Sequence, residues 1–562
     1  MKKSTRTGLS LTSLVAAAAL LLTGCNANDL SGDSDAGQDL GETQSGGNLT
    51  IMQGATDIEW DPAKSQNLAI TTLGLVERRL TTWDAEPGKE TKVVPDLAKD
   101  TGTPSKDGKT WTFKLKDGLK YEDGSTITAQ DIKYGLERSF STELSGGLGY
   151  HKSLLIGGDD YRGPYSGKHL DSIKTPDDKT IVFTLKSAFG DFPWIASMPA
   201  FAPVPKAKDD IKAYTKKPVA SGPYRVAKYT AGNQAVLERN EHWDKDTDPV
   251  RTAGPDTVTF KLGQDITVSA QSLISDSGDA KNGFSADFVP ASQLAQAQQN
   301  PAAKDRLVTS GDGALAYLAM NTKRGALKDL KVRQAINYAV DKNAFRVAAG
   351  GEIAGDFAST LITPGIPGRA DYDLYQADAA GDVDKAKSLL AESGQKPGKL
   401  RLLVKNDQTN VAQAESIQQS LGRAGIEVSI KSEDQQSLQA DATDAKGDYD
   451  LYLGSWQPDF PSANGNIQPL FDSSQIGGGN YNISRYSNKK VDALIKQATE
   501  EVDRTKAGQV WAQADKLIME DAPIVPLIYT KNTFIHGSGV ENFVIGKFPA
   551  YPVYFKASLK QG

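Results

Sequence analysis

The 562-residue sequence predicts an α/β fold divided into two or three lobes, and three observations carry that expectation. The chain is far longer than one hydrophobic core usually serves. Short runs with period-two apolar alternation are followed by runs with apolar residues every three or four positions, the mixed pattern of strands and helices. No internal repeat recurs at a fixed short period, so a solenoid is not indicated.

The first residues read as a secretory signal. Lys2, Lys3 and Arg6 form a basic n-region, and 9–22 is an apolar stretch of mostly Ala and Leu, too short to span a bilayer comfortably. It ends in Leu22-Thr23-Gly24-Cys25, a pattern that resembles the lipobox of bacterial lipoproteins. That resemblance implies cleavage after residue 24 and acylation of Cys25 on its thiol and its new amine. Cys25 is the only cysteine, so it has no disulfide partner in the chain. Each buried methylene adds about 0.8 kcal/mol of membrane affinity, and one chain alone anchors only marginally, so several chains on one residue would hold firmly. The expected location is the extracytoplasmic face of the cell membrane. Residues 25–47 are rich in Asn, Asp, Ser, Gly, Gln and Glu with almost no large apolar side chain, the composition of a flexible spacer.

From Asn48 the folded body begins. Leu49-Thr50-Ile51-Met52 reads as a strand, and Trp111 to Lys116 alternates apolar with polar residues, so one face should be buried. Asp117-Gly118 and Tyr121 to Ser125 follow as turns. Thr128 is placed to cap a helix that Asp131 favours with negative charge in its first turn, and Ile132, Leu136 and Phe140 mark its buried side. Another alternating strand, 181–185, follows a turn expected at Pro176-Asp177-Asp178. Val332, Ile336 and Val340 mark a further amphipathic helix. A helix over 384–390 is entered through Asp382 and Asp384 and stopped by Gly394. Ile417 and Leu421, followed by 426–430, read as helix then strand.

Charge and motif content exclude several classes. There are 64 basic and 70 acidic side chains, and loss of the signal removes three positive charges, taking the formal charge from −6 to −9. No basic patch suggests nucleic acid, and no second apolar run is long enough to cross a membrane. Gly-x-Ser-x-Gly, His-Glu-x-x-His and a phosphate loop are absent, and His151, His169, His242 and His536 lack metal-ligand spacing. A secreted hydrolase is therefore the remote alternative, and no cofactor or metal is expected.

The run Trp111-Thr112-Phe113-Lys114-Leu115-Lys116-Asp117-Gly118-Leu119-Lys120-Tyr121-Glu122-Asp123-Gly124-Ser125, continuing through Ala129-Gln130-Asp131-Ile132, resembles the signature of extracellular solute-binding proteins family 5. Further matches follow in that family's order: Val94-Pro95-Asp96-Leu97-Ala98, Ser221-Gly222-Pro223-Tyr224, Leu237 to Asn240, Met320-Asn321-Thr322, Val332 to Ile336, Tyr449-Asp450-Leu451 with Ser455 to Phe460, and Asn482 to Ser487. These are the oligopeptide- and dipeptide-binding proteins of ABC importers. The resemblance spans nearly the whole body from residue 48. It implies a two-lobed periplasmic-binding-protein-like (type II) fold with an additional small domain and a hinge between lobes. The implied division is 48–85, 205–312 and 530–562 for the first lobe, 86–204 for the small domain, and 313–529 for the second lobe. It also implies a monomer that captures an oligopeptide or dipeptide between lobes and delivers it to a permease driven by a separate ATPase subunit. Members of this fold also bind sugars, opines or nickel complexes, and a receptor for a peptide signal would look the same in sequence.

The candidate site is Gly454-Ser455-Trp456-Gln457-Pro458-Asp459. It follows an apolar strand expected at 449–453 and should sit on a loop, where binding residues concentrate. In peptide-binding members the acid of the matching Trp-x-x-Asp pattern pairs with the ligand's α-ammonium, which assigns that role to Asp459. Trp456 would supply a rigid apolar wall, and the backbone of Gly454, Ser455, Trp456 and Gln457 would pair with an extended peptide as an added strand. Oligopeptide-binding members carry an arginine three residues before the tryptophan, where Leu453 stands here, and no residue of the sequence is identified as the cation for a ligand carboxylate.

Overall fold

The computed structural model describes residues 40–444 and 446–560. The signal segment, Cys25 and the spacer up to residue 39 lie outside the described residues. Two large sheets and one small one organise the body. The first has five strands in the order Gly283–Ser285, Asn48–Met52, Thr257–Lys261, Gln234–Arg239 and Tyr224–Thr230. Asn48–Met52 is the strand expected from the sequence, and it pairs in parallel with both neighbours, so Leu49 and Ile51 are fully enclosed.

The second large sheet has six strands, ordered Gly355–Phe357, Ile524–Thr530, Leu315–Met320, Leu451–Trp456, Lys399–Lys405 and Glu427–Glu433. Every residue of Leu315–Met320 is buried, as a central strand covered on both faces requires. Its cover includes the helices Leu330–Ala339, Val383–Ser393 and Gln408–Arg423, through Val332, Ile336, Ala386, Leu389, Ile417 and Leu421. Asp382 caps the second of these and Gly394 ends it in the left-handed region, as the sequence predicts.

The small sheet is a four-stranded antiparallel one, Thr103–Pro104, Thr110–Lys114, Thr180–Thr184 and Ile173–Asp177. Trp111, Phe113, Ile181 and Phe183 point into the core in the predicted alternation. The helix Ala129–Arg138 begins in a full capping box, with Asp131 N donating to Thr128 Oγ1 at 3.3 Å and Thr128 N to Asp131 Oδ2 at 2.9 Å. Two local expectations are corrected. Phe140 lies past the helix end, although it is buried on the expected side. Pro176 and Asp177 belong to a strand, and the turn falls at Asp178-Lys179, because the antiparallel register brings Asp177 opposite Thr180.

The chain passes from the first large sheet to the second at 310–314 and returns at 530–532. These stretches lie side by side: Ser310 N donates to Asn532 O at 2.8 Å, Gly313 N to Thr530 O at 2.8 Å and Thr530 N to Ala314 O at 2.7 Å. After the return, His536 bridges to Phe284 at the edge of the first sheet. No described helix is long and apolar enough to cross a membrane.

Buried ion pairs join segments far apart in sequence. Asp96 takes Arg78 Nε at 2.7 Å on one oxygen and Arg251 Nη2 at 3.0 Å on the other, and Arg251 Nη1 reaches Asp248 at 3.1 Å. None of these side chains is more than 2% exposed. Removing one partner of such a network strands a buried charge. Asp96→Ala is expected to lower unfolding stability by about 3–5 kcal/mol in urea titrations. Lys99→Ala, which removes the exposed Lys99–Asp117 pair, should change it by less than about 0.5 kcal/mol.

Candidate functional site

The candidate residues occupy a strand with one open edge. Leu451–Trp456 pairs antiparallel with Leu315–Met320 along its whole length, from Met320↔Leu451 to Leu315↔Trp456. On its other side the parallel pairing with Lys399–Lys405 covers only Leu451 and Tyr452. Among the described residues no strand lies beside that edge past Tyr452, so the backbone at Leu453, Gly454, Ser455 and Trp456 is available on one side. The strand expected at 449–453 is thus displaced, and Gly454, Ser455 and Trp456 lie in it rather than on a loop. The pairing across to Leu315–Met320 extends it, a tertiary contact that local patterning does not report.

Tyr452, Gly454 and Trp456 share one face of this strand. A β-carbon on Gly454 would lie 2.3 Å from the Tyr452 ring, so that ring folds over the glycine. Ser455, on the opposite face, is exposed, and Gln457 Oε1 lies beside Gly313 in the first passage between the sheets. Leu453 is buried in the core of the six-stranded sheet, so the position that carries arginine in the resemblance holds no cation here. Gly454→Ala is expected to swing the Tyr452 ring away and to show as a changed near-UV circular dichroism with native far-UV signal.

Trp456 is half-buried, and its Nε1 donates to Gly465 O at 2.7 Å. Gly465 lies in the first turn of the helix Ala463–Phe471, capped by Ser462. The indole meets Tyr481 at a ring-centroid distance of 5.0 Å. Asp459 follows in a bend, also half-buried, and its Oδ2 accepts a hydrogen bond from the Tyr150 hydroxyl. Tyr150 begins the helix Tyr150–Leu154, and its ring stands edge-on to Phe460 at 5.7 Å. Among the described residues Asp459 caps no backbone N–H, and no lysine, arginine or histidine forms an ion pair with it. Burial raises its carboxyl above the usual range, with the Tyr150 hydrogen bond opposing. Burial and Asp459 together raise the Tyr150 phenol.

The structure therefore brings Trp456 and Asp459 together with two residues that sequence reasoning missed, Tyr150 and Tyr481. Tyr150 is 309 positions from Asp459, and no local signal links them. Tyr481 follows Gly477-Gly478-Gly479, a run at positive φ that brings the chain back beside Trp456. Among the described residues no group of three or more His, Cys, Asp or Glu side chains could hold a metal ion.

Comparison with known proteins decides the family. The description "Bacterial extracellular solute-binding proteins, family 5 Middle" matches residues 92–478, more than half the chain. The chain belongs to this family. As a family 5 solute-binding protein it is 26% identical over 477 residues to the probable D,D-dipeptide-binding periplasmic protein DdpA of Escherichia coli (strain K12), covering 83% of this chain and 85% of that one. It is also 26% identical over 471 residues to the glutathione-binding protein GsiB of Salmonella paratyphi A, covering 81% and 84%. Among solved structures, the clavulanic acid biosynthesis oligopeptide binding protein 2 is 30% identical with a TM-score of 0.86, over 93% of this chain and 97% of that one. The unliganded open form of the periplasmic murein tripeptide binding protein MppA, at 20% identity, shares the fold with a TM-score of 0.76 over 94% and 99%. The fold is thus the periplasmic-binding-protein one that the sequence resemblance implied, and the family is a solute-binding, extracytoplasmic one.

The uncompensated carboxylate has a consequence for the empty protein. Because folding raises the Asp459 pKa, the stability linked to this group is whole in acid and is lost as pH rises through the folded value. Asp459→Asn removes the charge, and its amide oxygen still accepts from Tyr150. In calorimetry the ligand-free variant is expected to melt above the parent at pH 7.5, with the difference closing toward pH 4.

Proposed function

We propose that this family 5 protein is the receptor subunit of an ABC importer, capturing an oligopeptide or dipeptide between two lobes and passing it to a membrane permease. The observation that carries this reading is Asp459: a half-buried carboxylate that, among the described residues, has one phenol donor and no ion-pair partner, in the segment that follows the open edge of Leu451–Trp456. An extended peptide supplies what each part lacks. Its backbone would add to the free edge as a further strand, and its α-ammonium would compensate Asp459. Trp456 would wall the first residue. The names of the relatives, which bind D,D-dipeptides, glutathione and oligopeptides, agree with a ligand that has a peptide backbone.

The lobes of this reading are 48–85, 205–312 and 530–562 for the first, 313–529 for the second, and 86–204 for the small domain. What supports the division is that the five-stranded sheet draws its strands from the first set, the small sheet from the third, and the six-stranded sheet from the second up to the return passage. The hairpin of Thr81–Asp84 with Lys92–Pro95 straddles the boundary at 85. Ligand touching both lobes would stabilise closure about the paired passages at 310–314 and 530–532. The lipobox supports acylation at Cys25, with the spacer letting a monomeric body reach its permease. The protein carries no catalytic role in this reading.

Asp459→Ala is the direct test, read by calorimetric titration with tri-alanine and N-acetyl-tri-alanine. A charge-assisted hydrogen bond is worth about 1.5–3 kcal/mol, so the free-amine peptide should lose about 10- to 150-fold in affinity. The acetylated peptide should change little. Equal losses for the two peptides would remove Asp459 from the role given to it.

A further inference from the structure

The small domain is held very differently by its two neighbours. To the first lobe it is joined by buried ion pairs. Asp96 takes Arg78 and Arg251, and Arg138 takes both oxygens of Asp61 at 2.9 Å and Asp209 at 2.8 Å. None of these side chains is more than 3% exposed. Breaking any of these pairs strands a charge in the interior, so the small domain travels with the first lobe.

Its contacts with the second lobe are lighter. Gly190 N donates to Thr499 O at 2.9 Å. Thr499 lies in the last turn of the helix Lys489–Glu500, where carbonyls lack partners within the helix, so Gly190 supplies one of them with a donor. One residue on, Asp191 Oδ2 accepts from Ser462 Oγ at 2.6 Å. A β-carbon on Gly190 would overlap Glu501 O and lie 2.9 Å from its carbonyl carbon, so the two bodies touch backbone to backbone there. Trp194, in the short helix that Asp191 opens, has the Arg504 guanidinium 5.6 Å from its ring centre. Beside these contacts a cavity of about 100 Å³ is left, lined by Asp191 and Trp194 on one side and by Pro461, Arg504 and Trp511 on the other. Permanent cores leave few such voids. This face is built from a few hydrogen bonds over an imperfect fit, as a contact that is made and broken would be.

We propose that Gly190 and Asp191 of the small domain, set against Ser462, Thr499 and Glu501 of the second lobe, form a latch. It is made when the lobes come together and broken when they part, and it sets the share of ligand-free protein that stays shut. This rests on the division into lobes and on their closure as read above. A small domain fixed to the first lobe must leave the second when the lobes turn about the passages at 310–314 and 530–532. The latch also lies close to the site, since Ser462 stands three residues after Asp459. A ligand that binds the shut form gains affinity in proportion to the share already shut, so the latch tunes affinity without touching the ligand.

Two variants of the full mature chain test this by small-angle X-ray scattering without ligand. Gly190→Ala puts a methyl group against Glu501 O and wedges the face apart. Asp191→Ala removes the acceptor for Ser462 and leaves the ion pairs to the first lobe intact. Both are expected to show a larger radius of gyration than the parent with an unchanged far-UV circular dichroism. In calorimetric titration each should weaken tri-alanine by about 2- to 12-fold, the span of one net hydrogen bond. Asp191→Ala scattering as the parent does overturns the latch, and so does a natively folded Gly190→Ala that scatters as the parent does. If Gly190→Ala loses its native dichroism, Asp191→Ala decides alone. Tri-alanine binding to a parent whose variants do not expand leaves the peptide reading standing while the latch falls. If tri-alanine does not bind the parent, the peptide reading fails and the ligand-free scattering still decides the latch.

Discussion

Much of the molecule depends on one strand, Leu315–Met320, being held on both sides. It pairs with Ile524–Thr530 on one edge and with Leu451–Trp456 on the other, and it starts where the first passage from the five-stranded sheet ends. The return passage leaves from its neighbour. The same strand therefore anchors both crossings and holds the backbone on which the candidate site is built. Its complete burial gives the reason it can do so: each backbone N–H and C=O must be paired, so its register with both neighbours is strongly determined.

The site is built where that regularity runs out. Lys399–Lys405 pairs with Leu451–Trp456 only at Leu451 and Tyr452, and among the described residues no other strand takes that edge beyond Tyr452. An open edge is usually a liability that folded proteins cover. Here it precedes a half-buried carboxylate, Asp459, that has no ion-pair partner among the described residues, and the proposed peptide, with its backbone and ammonium, would meet both. Asp96, by contrast, is compensated by Arg78 and Arg251, and Asp61 by the two terminal nitrogens of Arg138 at 2.9 Å.

Local elements were largely readable. The alternation at Trp111 to Leu115 and at 181–185, the Thr128–Asp131 cap and the Asp382 to Gly394 helix are all where the pattern of nearby residues puts them. The errors fall where strand pairing decides. The strand expected at 449–453 ends three residues later, because Leu315, Ala316 and Tyr317 extend it. The turn near Pro176 shifts because the opposing strand sets the register.

By itself the sequence determined the α/β class, the family, the order of most elements and the identities of Trp456 and Asp459 as a candidate pair. These follow from periodicities of two and about four residues, capping and turn chemistry, and motifs read along the chain, all of them local. Only the tertiary structure decided what surrounds that pair. Tyr150 reaches Asp459 across 309 residues, Tyr481 returns to Trp456 through a glycine turn, and the edge at Leu453 to Trp456 stays open because a neighbouring strand turns away. Hydrogen bonding, desolvation and ring contact depend on distance in space, and the chain brings these groups together only once its sheets are formed.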